Sequence, residues 1–230
     1  MGRNHKYSGW FITFEGPEGS GKSTQSQMLC EYLKKLGHDV IMTFEPGGTP
    51  IANQIRSVLL SRENVKMVPR CEMFLYAASR AQHVSEIIIP HIQKGGIVIC
   101  DRFTDSSIAY QAFGREIGYD IVNSIQETAT YGIKPDITIM LDIETDIGLD
   151  RTFRKRNPNK IEQAADRIEL ENIEFHTRVR NGYLKLAAKE PERIRVFDAN
   201  ATTEAIFGAI KNYIEKEIGT NAGAAGSPGE

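Results

Sequence analysis

The sequence predicts a doubly wound α/β fold, a right-handed parallel sheet of about five strands with helices on both faces. Three observations carry this. Short apolar runs alternate with longer segments of helical periodicity. Two of these runs, Ile97–Cys100 and Ile137–Leu141, are apolar throughout, as in strands buried on both faces. Each is followed by a carboxylate, Asp101 or Asp142, at the sheet edge where such folds bind ligands. Finally, a glycine-rich stretch, F-E-G-P-E-G-S-G-K-S-T-Q at Phe14–Gln25, joins a strand-like run to a helical one.

Trp10–Phe14 is aromatic and β-branched and reads as the first strand. Met28, Leu29, Tyr32, Leu33 and Leu36 fall on one helical face, so Gln25–Leu36 reads as the first helix, stopped by Gly37. Asp39–Phe44 reads as the second strand, and Glu45–Pro50 (E-P-G-G-T-P) as a tight loop. Helices are expected over Ile51–Leu60, Cys71–Val84 and Ile87–Gln93, the last ended by Gly95 and Gly96. After the strand at Ile97, a helix is expected over Tyr119–Tyr131. Beyond the strand at Ile137, the chain reads as largely helical from Asp146 to Ala188. Ile194–Phe197 is the fifth strand and Thr203–Ile218 the closing helix. The expected organisation is one domain over residues 1–218 and a small, polar, flexible tail over 219–230.

The glycine-rich stretch has the spacing G-x-x-x-x-G-K-S at Gly16, Gly21, Lys22 and Ser23, that of a phosphate-binding loop. Its glycines let successive backbone N–H groups turn inward on anionic oxygens, and the following helix adds the positive end of its dipole. Gly16, Pro17, Glu18, Gly19, Ser20, Gly21, Lys22, Ser23 and Thr24 are the residues expected to hold a nucleotide triphosphate. Lys22 places a point charge on the outer phosphates, and the Ser23 hydroxyl can join a magnesium ion's coordination. A second stretch, D-R-F-T-D-S-S-I-A-Y-Q at Asp101–Gln111, starts at a strand end. There Asp101 can organise magnesium and Arg102 can grip another phosphate in fork geometry. Ser107 and Gln111 lie four apart, on one helical face that could read a base.

The formal charge of −2 argues against a nucleic-acid or membrane binder. No apolar run approaches a membrane span, and the N-terminus lacks the apolar core of a secretory signal. Cys30, Cys71 and Cys100 cannot all pair and lack metal-ligand spacing. They are expected to be buried spectators in a reducing, cytoplasmic location. The histidines, His83 included, show no ligand spacing and read as surface or satisfied core residues.

Together, F-E-G-P-E-G-S-G-K-S-T, E-P-G-G-T-P, A-A-S-R-A-Q-H, D-R-F-T-D-S-S-I-A-Y-Q and D-R-I-E closely resemble thymidylate kinases of the bacterial type, in order and spacing, from about Phe11 to Phe197. The resemblance implies a three-layer α/β/α P-loop NTPase fold with a helical lid at about residues 147–165. It implies a homodimer that uses ATP and Mg²⁺ to convert dTMP to dTDP. It assigns Lys22, Ser23 and Thr24 to ATP and magnesium, Glu18 to the sugar 3′-hydroxyl and the metal region, and Asp101 and Arg102 to magnesium and the acceptor phosphate. Arg56 joins that phosphate; Glu45 belongs to the acceptor loop. Arg80 hydrogen-bonds the base, and Tyr76 takes the place of a stacking phenylalanine, with Phe74 close by. Ser107 and Gln111 meet the base edge, and Tyr110 crowds the sugar 2′ position. One departure stands out: the family commonly has arginine before E-P-G-G-T, where this chain has Phe44.

Arg151, Arg154 and Lys155 share a helix face, and Arg156 precedes the breaker Asn157-Pro158. Family members place a catalytic cation either in the phosphate loop or in the lid. Here Gly19 and Ser20 stand where one type carries arginine, so the resemblance assigns the role to Arg151, Arg154 and Arg156. Asp166 and Glu169 resemble the acidic pair that closes the lid or helps hold magnesium. Two alternatives compete with this reading. One is a kinase for another nucleoside monophosphate, against which Arg80, Ser107 and Gln111 favour a pyrimidine. The other is a nucleotide-dependent switch, which needs N-K-x-D; the nearest string, N-K-I-E at Asn159–Glu162, ends in the wrong residue.

Overall fold

The computed structural model describes residues 4–154 and 166–219. Five parallel strands form one sheet in the order β2-β3-β1-β4-β5, namely β1 (Trp10–Glu15), β2 (Val40–Phe44), β3 (Ile97–Asp101), β4 (Ile137–Asp142) and β5 (Ile194–Asp198). β1 is central and pairs with β3 from Trp10↔Ile97 and with β4 from Ile12↔Ile137. Phe11, Ile12 and Phe14 are wholly buried, as continuous apolar strands in a two-sided sheet must be. Ile12 and Phe14 face the layer containing α1 (Lys22–Lys35), whereas Phe11 faces Val84, Ile88 and Ile92 on the other side.

α1 begins at Lys22, three residues before the expected start at Gln25. Gly21 in left-handed backbone (φ 92°) turns the loop directly into the helix. α2 (Pro50–Leu60) starts behind Thr49, whose hydroxyl caps Ala52, with Pro50 in the first turn. The two helices expected over Cys71–Val84 and Ile87–Gln93 are one rod, in which α3 (Pro69–His83) passes through a π-type turn at Val84–Ile88 into α4 (Ile89–Gln93). Pro90 lacks the N–H that an α-helical ladder would need here, and the widened turn accommodates that loss.

After β3, a single helical turn α5 (Thr104–Ser107) widens into another π-type stretch, Ile108–Gly114. α6 (Tyr119–Ala129) ends slightly earlier than expected, because Tyr131 and Gly132 both take positive φ (54° and 74°). The expected helical run after β4 resolves into α7 (Thr145–Arg154) and α8 (Ile173–Lys189), with a turn before α8; residues 155–165 lie outside the described residues. α9 (Thr203–Ile218) closes on α1 through Ile206, Ile210 and Ile214. The tail, residues 220–230, also lies outside the described residues.

Polar groups inside the sheet are paired. Thr13 and Thr138 share a 2.8 Å hydrogen bond, and Arg193 donates to Thr138 (2.8 Å) and to both oxygens of Asp105 (2.7 and 2.9 Å). Cys30 and Cys100 are buried as expected, but Cys71 is exposed, because it lies in the first turn of α3 on the face turned from the core. No described helix is long and apolar enough to cross a membrane.

Candidate active site

The carboxyl ends of β1 and β3 deliver the two motifs to one place. Arg102 N–H donates to the Phe14 carbonyl (2.9 Å), and Glu45 N–H to the Asp101 carbonyl (3.0 Å), so three loops converge at the sheet's switch point. They line a cavity of about 650 Å³, within the range of small-ligand sites.

At one end lies the phosphate loop. Gly16 (φ 137°) runs so close to β4 that a Cβ would sit 2.2 Å from the Leu141 carbonyl oxygen, which is why the loop can turn tightly there. Lys22 Nζ folds back onto the Pro17 carbonyl (2.7 Å) and Ser20 Oγ (3.3 Å). Burial, with help from the Arg102 charge, lowers the Lys22 ammonium to about 8, against the pull of Glu18 and Asp101. Ser23 Oγ donates to Asp101 Oδ2 at 2.5 Å. This hydroxyl–carboxylate pair offers hard oxygen ligands beside the loop. Among the described residues no group of three or more His, Cys, Asp or Glu is gathered as a closed metal site needs.

Arg102 occupies the middle. It is one of few non-glycine residues with positive φ (71°), and its guanidinium donates to Glu18 Oε1 (2.6 Å), Ser106 Oγ (3.2 Å) and Tyr183 Oη (3.2 Å). It also lies over the Tyr110 ring, 5.1 Å from the centroid. Tyr110 Oη donates to the same Glu18 oxygen at 2.8 Å. Burial alone would raise the Glu18 carboxyl. The charges of Arg102 and Lys22 and the Tyr110 hydroxyl outweigh it and hold the group at about 2.

The far end is built from α2, α3 and α5. Arg80, 2% exposed, donates from Nε to Glu45 (2.6 Å), from Nη1 to Ser107 (2.7 Å) and Gln126, and from Nη2 to the Phe103 carbonyl (2.8 Å). Arg56 donates to the Pro46 carbonyl (2.7 Å) and lies over Phe44, 5.3 Å from its centroid. Phe44, in the position where an arginine was expected, thus serves as a platform for Arg56. Gln111 Nε2 donates to the fully buried Glu72 (2.9 Å). Tyr76 lines the cavity, whereas Phe74 is 57% exposed.

A sequence model described as thymidylate kinase matches residues 14–210. The chain belongs to the thymidylate kinase family. The thymidylate kinase of Trichlorobacter lovleyi is 48% identical over 204 residues, covering 89% of this chain and 96% of that one. The thymidylate kinase of Clostridium novyi is 47% identical over 207 residues, covering 90% and 98%. The crystal structure of thymidylate kinase from Ehrlichia chaffeensis superposes with a TM-score of 0.72 at 30% identity, covering 90% of this chain and 99% of that chain.

Of the residues singled out by the resemblance to thymidylate kinases, Glu18, Lys22, Ser23, Thr24, Glu45, Arg56, Tyr76, Arg80, Asp101, Arg102, Ser107, Tyr110, Gln111 and Glu169 line the cavity, as does Asp166. Asp166 Oδ1 accepts from the N–H groups of Ile168 and Glu169 (both 2.9 Å), and Glu169 Oε2 accepts from the Asp166 N–H (2.8 Å), a compact reciprocal turn. Arg151 and Arg154 do not border the cavity. Arg151 donates to the Ala199 carbonyl (2.8 Å), and the exposed Arg154 pairs with Asp150 (2.7 Å). Arg156 lies outside the described residues. Asp142, expected at a ligand-binding edge, is gripped from both oxygens by Arg180 (2.8 and 3.0 Å) and is absent from the cavity wall.

Sequence reasoning missed several groups. Glu15 is wholly buried and accepts from the N–H groups of Phe103 (2.7 Å) and Ser106 (3.2 Å) and from the Ser106 (2.6 Å) and Tyr183 (3.0 Å) hydroxyls, propping the Arg102 loop. Its place directly before Gly16 was the available signal. Tyr183 and Glu72, by contrast, look like ordinary helix residues in the sequence.

Proposed function

We propose that the protein transfers the γ-phosphoryl group of ATP to dTMP by direct in-line displacement. A dTMP phosphate oxygen forms the new P–O bond as the bond to the β–γ bridging oxygen breaks, giving ADP and dTDP. At neutral pH that attacking oxygen carries no proton, so no general base is required. The protein's contribution is position and charge. The observation that carries this reading is the Glu18–Arg102–Tyr110 cluster, which joins the phosphate loop to the cavity that would hold the acceptor.

Lys22 and the backbone of Gly16–Thr24 hold the ATP phosphates. Arg102 grips the acceptor phosphate, with Arg56 beside it on the Phe44 platform. Arg80, Ser107 and Gln111 read the base, Tyr76 stacks on it, and Tyr110 leaves no room for a 2′-hydroxyl. Ser23, Asp101 and Glu169, which line the same cavity, would hold Mg²⁺, and it would supply charge neutralisation to the phosphates. For the lid cation, Arg154 is more available than Arg151. Its surface pair with Asp150 costs little to break, whereas Arg151 is tied to Ala199. Arg156 follows on the same segment. Residues 1–218 act as one domain, and the enzyme works as a cytoplasmic homodimer.

The test is ADP formation from ATP and Mg²⁺ with a panel of nucleoside monophosphates, for wild type, Lys22→Ala and Arg80→Ala. The expected result is strong stimulation by dTMP, weaker by dUMP, and loss in both variants. ATP binding without stimulation by any monophosphate would overturn the reading.

A further inference from the structure

The A-A-S-R-A-Q-H motif supplies more than Arg80. One turn along the same helix, His83 is wholly buried and lies outside the cavity wall. Its Nδ1 is 2.8 Å from Glu45 Oε1 and its Nε2 is 2.7 Å from Thr43 Oγ1. The other Glu45 oxygen, Oε2, takes the Arg80 Nε–H at 2.6 Å. The carboxylate can only accept, so Nδ1 carries the proton given to it, and in a neutral ring Nε2 accepts from the threonine hydroxyl. Glu45 is thereby held from two sides, by His83 behind and Arg80 in front.

The acceptor loop is packed on this same side chain. A Cβ on Gly48 (φ 89°) would meet His83 Cδ2 at 2.7 Å, His83 Nε2 at 2.8 Å and Thr43 Oγ1 at 2.8 Å. Gly47 N–H donates to Ser79 Oγ (3.2 Å), so Ser79, Arg80 and His83 each fix a part of E-P-G-G-T. Without the Nδ1 donor, Glu45 could rotate and take two guanidinium nitrogens at once, the favoured fork geometry. The Nη edge of Arg80 would then turn away from Ser107 and the cavity.

We propose that His83 is a positioning residue for acceptor recognition: through Glu45 it sets the orientation in which the Arg80 guanidinium reads the pyrimidine base. This rests on the acceptor reading above. Arg80 is a fixed donor, which suits the O4 acceptor of thymine and opposes the N4 amino group of cytosine. His83 therefore contributes to preference for dTMP over dCMP as well as to affinity.

The experiment compares wild type, His83→Asn, His83→Gln and Thr43→Val in steady-state kinetics with dTMP, dCMP and ATP, with a thermal melt of each. Asparagine can present a donor where Nδ1 stands; glutamine reaches the Nε2 position and keeps only the Thr43 contact. The expected result for His83→Gln is a KM for dTMP raised about tenfold or more, a dTMP-over-dCMP preference reduced at least fivefold, and a KM for ATP within twofold of wild type. His83→Asn should stay within threefold of wild type in all three, and Thr43→Val should raise only the KM for dTMP, by a few-fold. If a glutamine variant that does not fold denies that comparison, Thr43→Val beside His83→Asn decides. The proposal is overturned if His83→Gln keeps the wild-type KM for dTMP, if asparagine is as impaired as glutamine, or if KM for dTMP and ATP rise together. It is likewise overturned if Thr43→Val changes only the melting temperature. Failure of the acceptor reading itself is separate: wild type would then form no dTMP-dependent ADP.

Discussion

Glu18 Oε1 and Arg102 Nη2 meet at 2.6 Å, although one belongs to the phosphate loop and the other to the loop after β3. The folded pKa of Glu18, about 2, lies below its ordinary value of 4.5. Its contribution to stability is therefore complete above about pH 4.5 and is lost as pH falls toward 2. Activity between pH 5 and 8 should show no inflection from Glu18. Arg102→Met should cost about 100-fold or more in kcat/KM and introduce a new acid limb as Glu18 loses its partner. A pH–rate profile of the variant without that limb would sink this account.

Lys22 should make ATP affinity fall in alkaline solution. Burial and Arg102 bring its ammonium to about 8, so the free protein loses the charge as pH rises through that value. Affinity should decline with a limiting slope of about tenfold per pH unit above it. Calorimetric titration with ATP and Mg²⁺ at pH 7 and 9.5 should show the decline in wild type and not in Lys22→Met. Equal slopes in the two proteins would refute the assignment.

Gly19 is where the phosphate loop touches α7. A Cβ there would lie 1.9 Å from the Gly148 carbonyl oxygen, on backbone with φ 71°. This leaves no room at position 19 for the arginine of the other thymidylate kinase type. Gly19→Ala should destabilise by about 1–3 kcal/mol and lower kcat/KM at least about tenfold. Urea unfolding and steady-state kinetics check both, and an unchanged variant would show the α7 contact to be dispensable.

Glu72 ties the cavity-lining Gln111 to two arginines. Its carboxylate takes Gln111 (2.9 Å), Arg115 (3.0 Å) and Arg167 (2.7 Å), and Arg167 also donates to the Leu59 carbonyl. Glu72→Ala leaves the buried Arg167 without its carboxylate, while Arg115 keeps Glu171 (2.6 Å), and should cost about 3 kcal/mol. Chemical denaturation measures it; a loss under 1 kcal/mol would mean that water replaces the carboxylate freely.

Glu15 should give stability the opposite pH trend from Glu18. Burial, then the Asp105 charge, raises its carboxyl from 4.5 to about 7. Between those values the folded state keeps a proton that the unfolded chain has released, so this component of stability falls as pH rises from 4.5 to 7. Glu15→Gln resembles the protonated acid: its oxygen can accept from the Phe103 and Ser106 N–H groups and its amide can donate to the two hydroxyls. The variant should lose that slope. Denaturation midpoints at pH 5 and 8 decide, and identical slopes would place the titration elsewhere.

Chain order was enough to predict the five parallel strands, the loop that turns into α1, and the family. These are local signals: continuous apolar runs, helical spacing, and glycines where the backbone needs positive φ. The gathering of Lys22, Asp101 and Arg102 at one cavity was legible for the same reason, because their motifs follow strand ends. Tertiary structure decided which charges face the cavity. Asp142 and Asp101 both follow apolar strands, yet Arg180, about forty residues later on α8, takes Asp142 out of play, while Ser23 holds Asp101 in the cavity wall. The partners of Glu15, Glu72 and His83 came from the fold alone. A buried polar side chain is defined by its partners, and theirs arrive from distant points in the sequence.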